Sequence, residues 1–257
     1  MESNTTEKVK TVKTIGNALD VLDKLRISKE PLGVNALSRE CDLNPATTFR
    51  ILKSLEEKGW ACQLADDRYV AGRKLGFVTC NNNFYMALRD AAKIVMDAYT
   101  EKYEMAMNLF VRDGAYCELI AQSLTKSLIN HVPPLNAVLP CNACASGKVL
   151  VSELPEAKID IIVTAYKRDG LTPYTITDAD KFRKAIEESR ANGYATDYQE
   201  LSLGGSCVSV PVRGEQGNII AALSFSGLLD ISNAERLLDF VPVLHEASKE
   251  ITRALYG

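Results

Sequence analysis

The run Asp42-Leu43-Asn44-Pro45 constrains this 257-residue chain more tightly than any other feature. Asparagine is a strong N-cap because its side-chain oxygen can take a backbone N–H of the first helical turn. Proline at the next position has no N–H to lose, and its φ is already set for helix. A helix must start at Pro45, and whatever precedes it must end within a few residues. Upstream, Ile15, Ala18, Leu19, Leu22 and Leu25 recur at helical spacing from Thr14 to about Ile27, where Pro31 and Gly33 follow as stops. Val34 and Leu37 share one face of a short second helix ending at Cys41. The third helix then runs from Pro45 to about Lys58, stopped by Gly59, and buries Ile51, Leu52 and Leu55. Two short helices joined by a three-residue turn form a helix-turn-helix.

The next residues add a wing. Trp60 to Leu64 and Arg68 to Ala71 read as two strands around the polar turn Ala65-Asp66-Asp67. A winged helix-turn-helix docks its third helix in the major groove of double-stranded DNA, where only side chains turned away from the apolar stripe reach bases and phosphates. On this helix they are Pro45, Ala46, Thr47, Phe49, Arg50 and Lys53, with Thr48 leaning toward the core. Arg50 suits a guanine edge or a phosphate, Lys53 a phosphate. The competing reading is a three-helix packing module with a solvated charged face. It would be indicated if Arg50→Ala and Lys53→Ala left every association unchanged.

The overall net charge of −3 argues against indiscriminate coating of polyanions, but the average hides a difference between the two parts. Residues 1–80 hold 13 Lys+Arg against 11 Asp+Glu, a net +2, and residues 81–257 hold 17 against 22, a net −5. A modest basic surface around Arg50, Lys53, Arg73 and Lys74 suffices for DNA only when several copies bind together. With 46% apolar residues there is material for two domains. The expected layout is a disordered polar lead-in over 1–11, a DNA-binding domain over 12–75, a linker helix over 76–90 and a second domain over 91–257. No apolar run approaches a membrane span, and the N-terminus lacks a signal-peptide pattern, so a cytoplasmic location is expected. Seven cysteines, an odd number scattered through apolar stretches, fit reduced thiols there.

The second domain reads as α+β. Leu88 to Glu104 has helical spacing, Ala106 to Val111 and Ala115 to Ala121 form strands around Arg112-Asp113-Gly114, and Lys126 to Val132 is a further strand candidate. Helices fit Ala143 to Ser152, Ala157 to Tyr166 and Asp178 to Asn192, the last closed by Gly193. Strands Cys207 to Val212 and Ile219 to Ser226 flank Gly214-Glu215-Gln216-Gly217, and one closing helix fits Asn233 to Leu255.

Several of these segments carry a resemblance. Ala18-Leu19-Asp20-Val21-Leu22, the run Leu43 to Trp60 and Arg68 to Leu75 are similar to the DNA-binding domain of the isocitrate lyase regulator (IclR) family. So, in family order, are Leu139-Pro140, Ala143 to Lys148, Gly193 to Asp197, Cys207 to Val212 and Ala221 to Gly227. The set spans about residues 12 to 254. It departs from the family pattern at Ala46, where Ser is usual, at Thr48, where an apolar residue is usual, and at Asn142-Ala143-Cys144-Ala145, where His-Ala-Thr-Ala is usual. The resemblance implies a GAF-like sheet flanked by helices, used to bind a small effector. It also implies a transcriptional regulator; because no single chain can read a roughly palindromic operator, symmetry calls for self-association as a dimer or tetramer.

Carried over position by position, the effector contacts are Ala143, Cys144, Gly147, Asp197, Cys207, Ser224 and Ser226. Two of these stand on chemistry alone: Ser224 and Ser226 lie two apart on one strand, so both hydroxyls face one side of the sheet. Free backbone N–H groups at a helix start near Ala143 to Gly147 would favour a carboxylate. No cofactor is expected. Two other readings use the thiols. Cys141 and Cys144 form a C-x2-C that, with Cys117 or Cys207, could serve a zinc or redox sensor, although a second ligand pair is missing. A thiol enzyme would need Cys207 or Cys144 as nucleophile with His131 as base, and no nucleophile-elbow, phosphate-loop or zinc-protease motif accompanies them.

Overall fold

Asn44 does what its position demands: its side-chain oxygen accepts the Thr47 N–H at 2.8 Å, with Pro45 opening the helix behind it. The computed structural model describes residues 12–28, 30–64, 66–72, 83–126, 132–164, 166, 168, 170–228 and 231–257. The chain divides into two units, Met1–Gly76 and Phe77–Gly257. In the first, helices α1 (Lys13–Ile27), α2 (Val34–Glu40) and α3 (Pro45–Glu57) close on Val21, Leu25, Leu37, Ile51 and Leu52. Ser38 clasps the turn between α2 and α3, its hydroxyl donating to Leu43 O at 2.7 Å and its carbonyl accepting the Leu43 N–H. Strands β1 (Ala61–Gln63) and β2 (Tyr69–Ala71) pair antiparallel as the wing, and Leu32 bridges to Tyr69 beside them. Arg73 and Lys74 lie outside the described residues.

The second unit is built on a six-stranded antiparallel sheet. Its strands are β3 (Ala106–Asp113), β4 (Tyr116–Ser123), β5 (Val138–Pro140), β6 (Ala195–Tyr198), β7 (Gly205–Arg213) and β8 (Ile219–Leu228), in the order β5-β4-β3-β8-β7-β6. Strand alternation sends Met107, Leu109, Val208, Val210, Leu223 and Phe225 to one face. There they pack with α4 (Asn83–Tyr103) and α8 (Val241–Tyr256). The other face carries Phe110, Leu119 and Ala222 against α5 (Ala145–Ser152), α6 (Glu156–Thr164) and α7 (Ala179–Asn192). A bulge in β4 places Ala121 opposite Leu109 but Leu119 opposite Phe110. One residue is thereby skipped, and Gln122 and Leu119 stay on the same face.

The structure departs from the sequence reading at several points. Helix α4 runs without a break across position 90, so the linker helix and the first helix of the second domain are one element; residues 76–82 lie outside the described residues. The single closing helix is two: a 3-10 stretch, Ile231–Phe240, precedes α8, and Pro242 sits in the first turn of α8, where its missing N–H costs nothing. The helix expected from Ala143 is likewise divided into a 3-10 turn, Cys141–Ala143, an extended Cys144 and then α5. Strands β5 and β6 were not foreseen, being edge strands of three and four residues. The strand expected over 126–132 lies at 127–131 outside the described residues, and neither Lys126 nor Val132 is in a strand. None of the described helices is long and apolar enough to cross a membrane.

Candidate functional site

Helix α3 turns two unlike faces outward and inward. Thr48, Ile51 and Leu52 are buried, whereas Pro45, Ala46, Phe49, Arg50 and Lys53 are exposed and Thr47 is half-buried. Thr48 is held inward by its hydroxyl, which donates to Asn44 O at 3.1 Å. The Arg50 guanidinium makes no hydrogen bond or ion pair among the described residues. Lys53 is engaged: its ammonium donates to Glu56 Oε2 at 2.8 Å and Gln63 Oε1 at 2.7 Å, and lies 5.8 Å from the Phe49 ring centre. A phosphate at Lys53 has to compete with these partners, while Arg50 is available at once.

In the second unit, a cavity of about 300 Å³ opens on the sheet face that carries α5. Asp197 of β6, Cys207 of β7 and Ser226 of β8 line it, walled by Val132, Pro133 and Leu139 on one side and Leu201 and Gly205 on the other. Register explains the grouping. Asp197 pairs with Cys207 and Cys207 with Ser226, so the three side chains stand in a row across the sheet. The row continues inward: Asn108 of β3 donates through Nδ2 to Ser226 Oγ at 3.0 Å, and Gln122 of β4 donates through Nε2 to Asn108 Oδ1 at 2.8 Å. Ser224, on the same face, is 1% exposed, and its hydroxyl has no partner among the described residues. An unsatisfied buried hydroxyl costs on the order of 1–3 kcal/mol, and Ser224 does not line the cavity.

Charge beside the cavity is unbalanced. Lys148, buried on α5, donates to Glu200 Oε1 at 2.6 Å and to Thr196 O at 2.8 Å. Asp197 Oδ1 accepts the Glu200 N–H at 2.6 Å, and Cys207 Sγ lies 3.8 Å from Asp197 Oδ2. Two carboxyls thus share one ammonium away from water. Burial first, then the Glu200 charge, pushes the Asp197 carboxyl up to about 7, and burial raises Glu200 as well. Asn108, Gln122, Lys148 and Glu200 went unnoticed in the sequence. The signal available for Asn108 was a polar residue set within the apolar run Ala106 to Val111.

Ala143, Cys144 and Gly147 are brought together, but within the apolar core against which Cys207 also packs, and none of them lines the cavity. Of the N–H groups expected to be free there, that of Gly147 meets Cys144 Sγ at 3.4 Å, and behind it the Lys148 N–H meets Cys144 O at 3.3 Å as an ordinary helix bond. Cysteine serves as the cap of α5, and the chain passes so close that a Cβ on Gly147 would lie 2.3 Å from Cys141 Cα. Cys144 Sγ lies 3.5 Å from Cys117 Sγ. Among the described residues no group of three or more His, Cys, Asp or Glu side chains is arranged to hold a metal ion. Hydrogen bonds from Cys141 and Cys144, with burial, push the Cys117 thiol well up, and burial does the same to Cys207. Both are therefore protonated at neutral pH and poor nucleophiles. His131, the base a thiol enzyme would need, lies outside the described residues.

Known proteins share this architecture. Residues 84–253 match the family model for the bacterial transcriptional regulator IclR C-terminal domain, and residues 14–65 match the IclR helix-turn-helix domain. The chain is 29% identical over 252 residues to the HTH-type transcriptional repressor AllR of Klebsiella pneumoniae, covering 96% of this chain and 91% of that one. The crystal structure of the Thermotoga maritima IclR superposes with a TM-score of 0.58 at 26% identity, covering 95% and 98% of the two chains. An inducer-binding domain of the PobR transcription factor from Acinetobacter, a double mutant in complex with 3-hydroxybenzoic acid, superposes with a TM-score of 0.56 at 28% identity. It covers 64% of this chain and 97% of that one. With a winged reading head, a sheet-borne pocket and family models matched over both units, the chain belongs to the IclR family of bacterial transcriptional regulators, which join a DNA-binding helix-turn-helix to an effector-binding domain.

Proposed function

We propose that this regulator binds a roughly palindromic DNA operator as a dimer or tetramer in the cytoplasm, and that a small organic acid held at the sheet pocket changes its operator affinity. One observation carries the effector half of this reading. A row of polar side chains, Asn108, Ser226, Cys207 and Asp197, crosses the sheet face that carries α5, and it ends at a cavity of about 300 Å³. Polar groups are costly to place inside a core, and a row that meets a cavity earns its place by meeting a ligand. Ser226 offers its hydroxyl to a carboxylate, with Ser224 buried behind it on β8, and Asp197 and Cys207 lie at the other end. Cys144 lies in the core against which Cys207 packs, behind the pocket, with Ala143 and Gly147 on its own segment. Regulators of the same fold are crystallised with aromatic hydroxy acids, which supports an acid as the class.

The DNA half rests on the exposed Arg50 and its neighbours Pro45, Ala46, Thr47, Phe49 and Lys53. A single winged helix reads only a half-site, so symmetry calls for self-association. The ligand acts by binding two arrangements of the regulator unequally. Selection from random duplexes tests the first half: a two-fold symmetric site whose affinity falls steeply with salt is expected, and failure to enrich any sequence overturns it. A thermal-shift screen of small carboxylic acids, repeated with Ser224→Ala and Asp197→Ala, tests the second. Equal shifts in all three proteins would remove the pocket assignment.

A further inference from the structure

Two residues that do not line the pocket, Gln122 and Asn108, form a hydrogen-bonded chain that ends on Ser226. Pro133 O, a carbonyl that can only accept, lies 3.0 Å from Gln122 Nε2. That contact fixes the Gln122 amide, so the atom 2.8 Å away on Asn108 must be its oxygen, and the other end of the Asn108 amide must give its N–H to Ser226 Oγ. One lone pair of the Ser226 oxygen is thereby taken, and its O–H is turned away from Asn108. Its own proton finds no acceptor among the described residues, and the side chain faces the cavity. At the opposite end Asp197 Oδ1 is filled by the Glu200 N–H, which leaves Oδ2 toward Cys207 and the pocket.

We propose that Gln122 and Asn108 act as positioning residues that set the polarity of the pocket. They turn the Ser226 O–H toward the cavity, so the effector presents an acceptor to β8 and a donor group to Asp197 on β6. This deepens the effector reading above and rests on it. The chemical class is a small hydroxy acid, carboxylate at the Ser226 end and hydroxyl at the Asp197 end. Gln122 has a second task, since the same amide holds Pro133, one wall of the cavity.

The test compares matched probes on the full chain by calorimetry at pH 8: 3-hydroxybenzoate with benzoate, and glycolate with acetate. Asn108→Asp is nearly isosteric, but its ionised carboxylate can only accept. It takes the Ser226 proton and turns a lone pair toward the pocket. Loss of one buried hydrogen bond predicts affinity for the hydroxy acids down about tenfold or more in Asn108→Asp. Gln122→Leu is the second variant, should a buried carboxylate at 108 prevent folding. It frees the Asn108 amide to turn, so hydroxy-acid affinity falls while the preference over the acid lacking a hydroxyl, set at Asp197, is kept. If the wild type binds the hydroxy acids and the folded variants bind them equally well, the polarity relay is wrong and the effector site stands. If the wild type binds none of the four probes, the hydroxy-acid class falls, and the relay with it.

Discussion

Replacing Asp197 with Asn should change how the stability of the second unit depends on pH, and the structure sets the size of the effect. Asp197 is 3% exposed, shares Lys148 with Glu200, and has its carboxyl pushed up to about 7 against an ordinary value near 3.8. A carboxyl raised in the folded state favours folding when protonated. Its contribution is fully present below pH 3.8 and is lost as pH rises through about 7. At about 1.4 kcal/mol for each unit of separation, the wild type holds roughly 3 kcal/mol more from this group at pH 5 than at pH 8. Asparagine does not titrate, yet keeps an oxygen for the Glu200 N–H, so the variant lacks that swing. The gap between the two melting temperatures should therefore shift by about 6–10 °C between pH 8 and pH 5, in a unit of this size. The sole tryptophan, Trp60, lies in the first unit, and every tyrosine except Tyr69 lies in the second, so tyrosine near-UV circular dichroism follows the relevant transition. Curves for wild type and Asp197→Asn that run parallel across this range would refute the claim that Asp197 is poised near neutrality.

Three further outcomes follow from named contacts. Arg50→Ala should cost about 1–3 kcal/mol in operator binding by fluorescence anisotropy, with loss of sequence discrimination if Arg50 reads a base; an unchanged Kd would remove it from the interface. Gly147→Ala pushes a methyl group into the Cys141 backbone and should destabilise the second unit by about 3 kcal/mol, seen in urea melts, because neither chain segment can yield cheaply. Lys148→Met leaves Glu200 and Asp197 buried without their ammonium and should cost about 3–5 kcal/mol, while adding Glu200→Gln should recover part of it; an additive double mutant would show the pair is not coupled.

How far the fold could be read in advance varied with the range of the signals. The helix-turn-helix was legible because Asn44, Pro45 and Gly59 act on their own neighbours. The sides of Ser224 and Ser226 were legible for the same reason, since strand alternation is local. What Ser226 does was not, because its partners sit on β3 and β4, more than 100 residues away, and because the bulge at Leu109 and Phe110 decides that Gln122 faces it. The N–H groups near Gly147 were expected to be free because a cysteine is not an obvious cap; the thiol of Cys144 takes that role when the segment is buried. The break before α8 was marked by Pro242, a stop that the apolar spacing of Asn233 to Leu255 obscured.

Strand β3 has a consequence for signalling. Asn108 belongs to the polar row, while its neighbours Met107 and Leu109 face the other way and share the core with α4. If the proposed effector pulls on Ser226 it pulls on Asn108, and one peptide bond to either side the displacement would reach the bed on which α4 lies. Sensing and output meet within three consecutive residues, so the message needs no long chain of rearrangements. It needs only a strand stiff enough to move as one piece, which makes the packing at positions 107 and 109 as decisive for response as any residue that touches the effector.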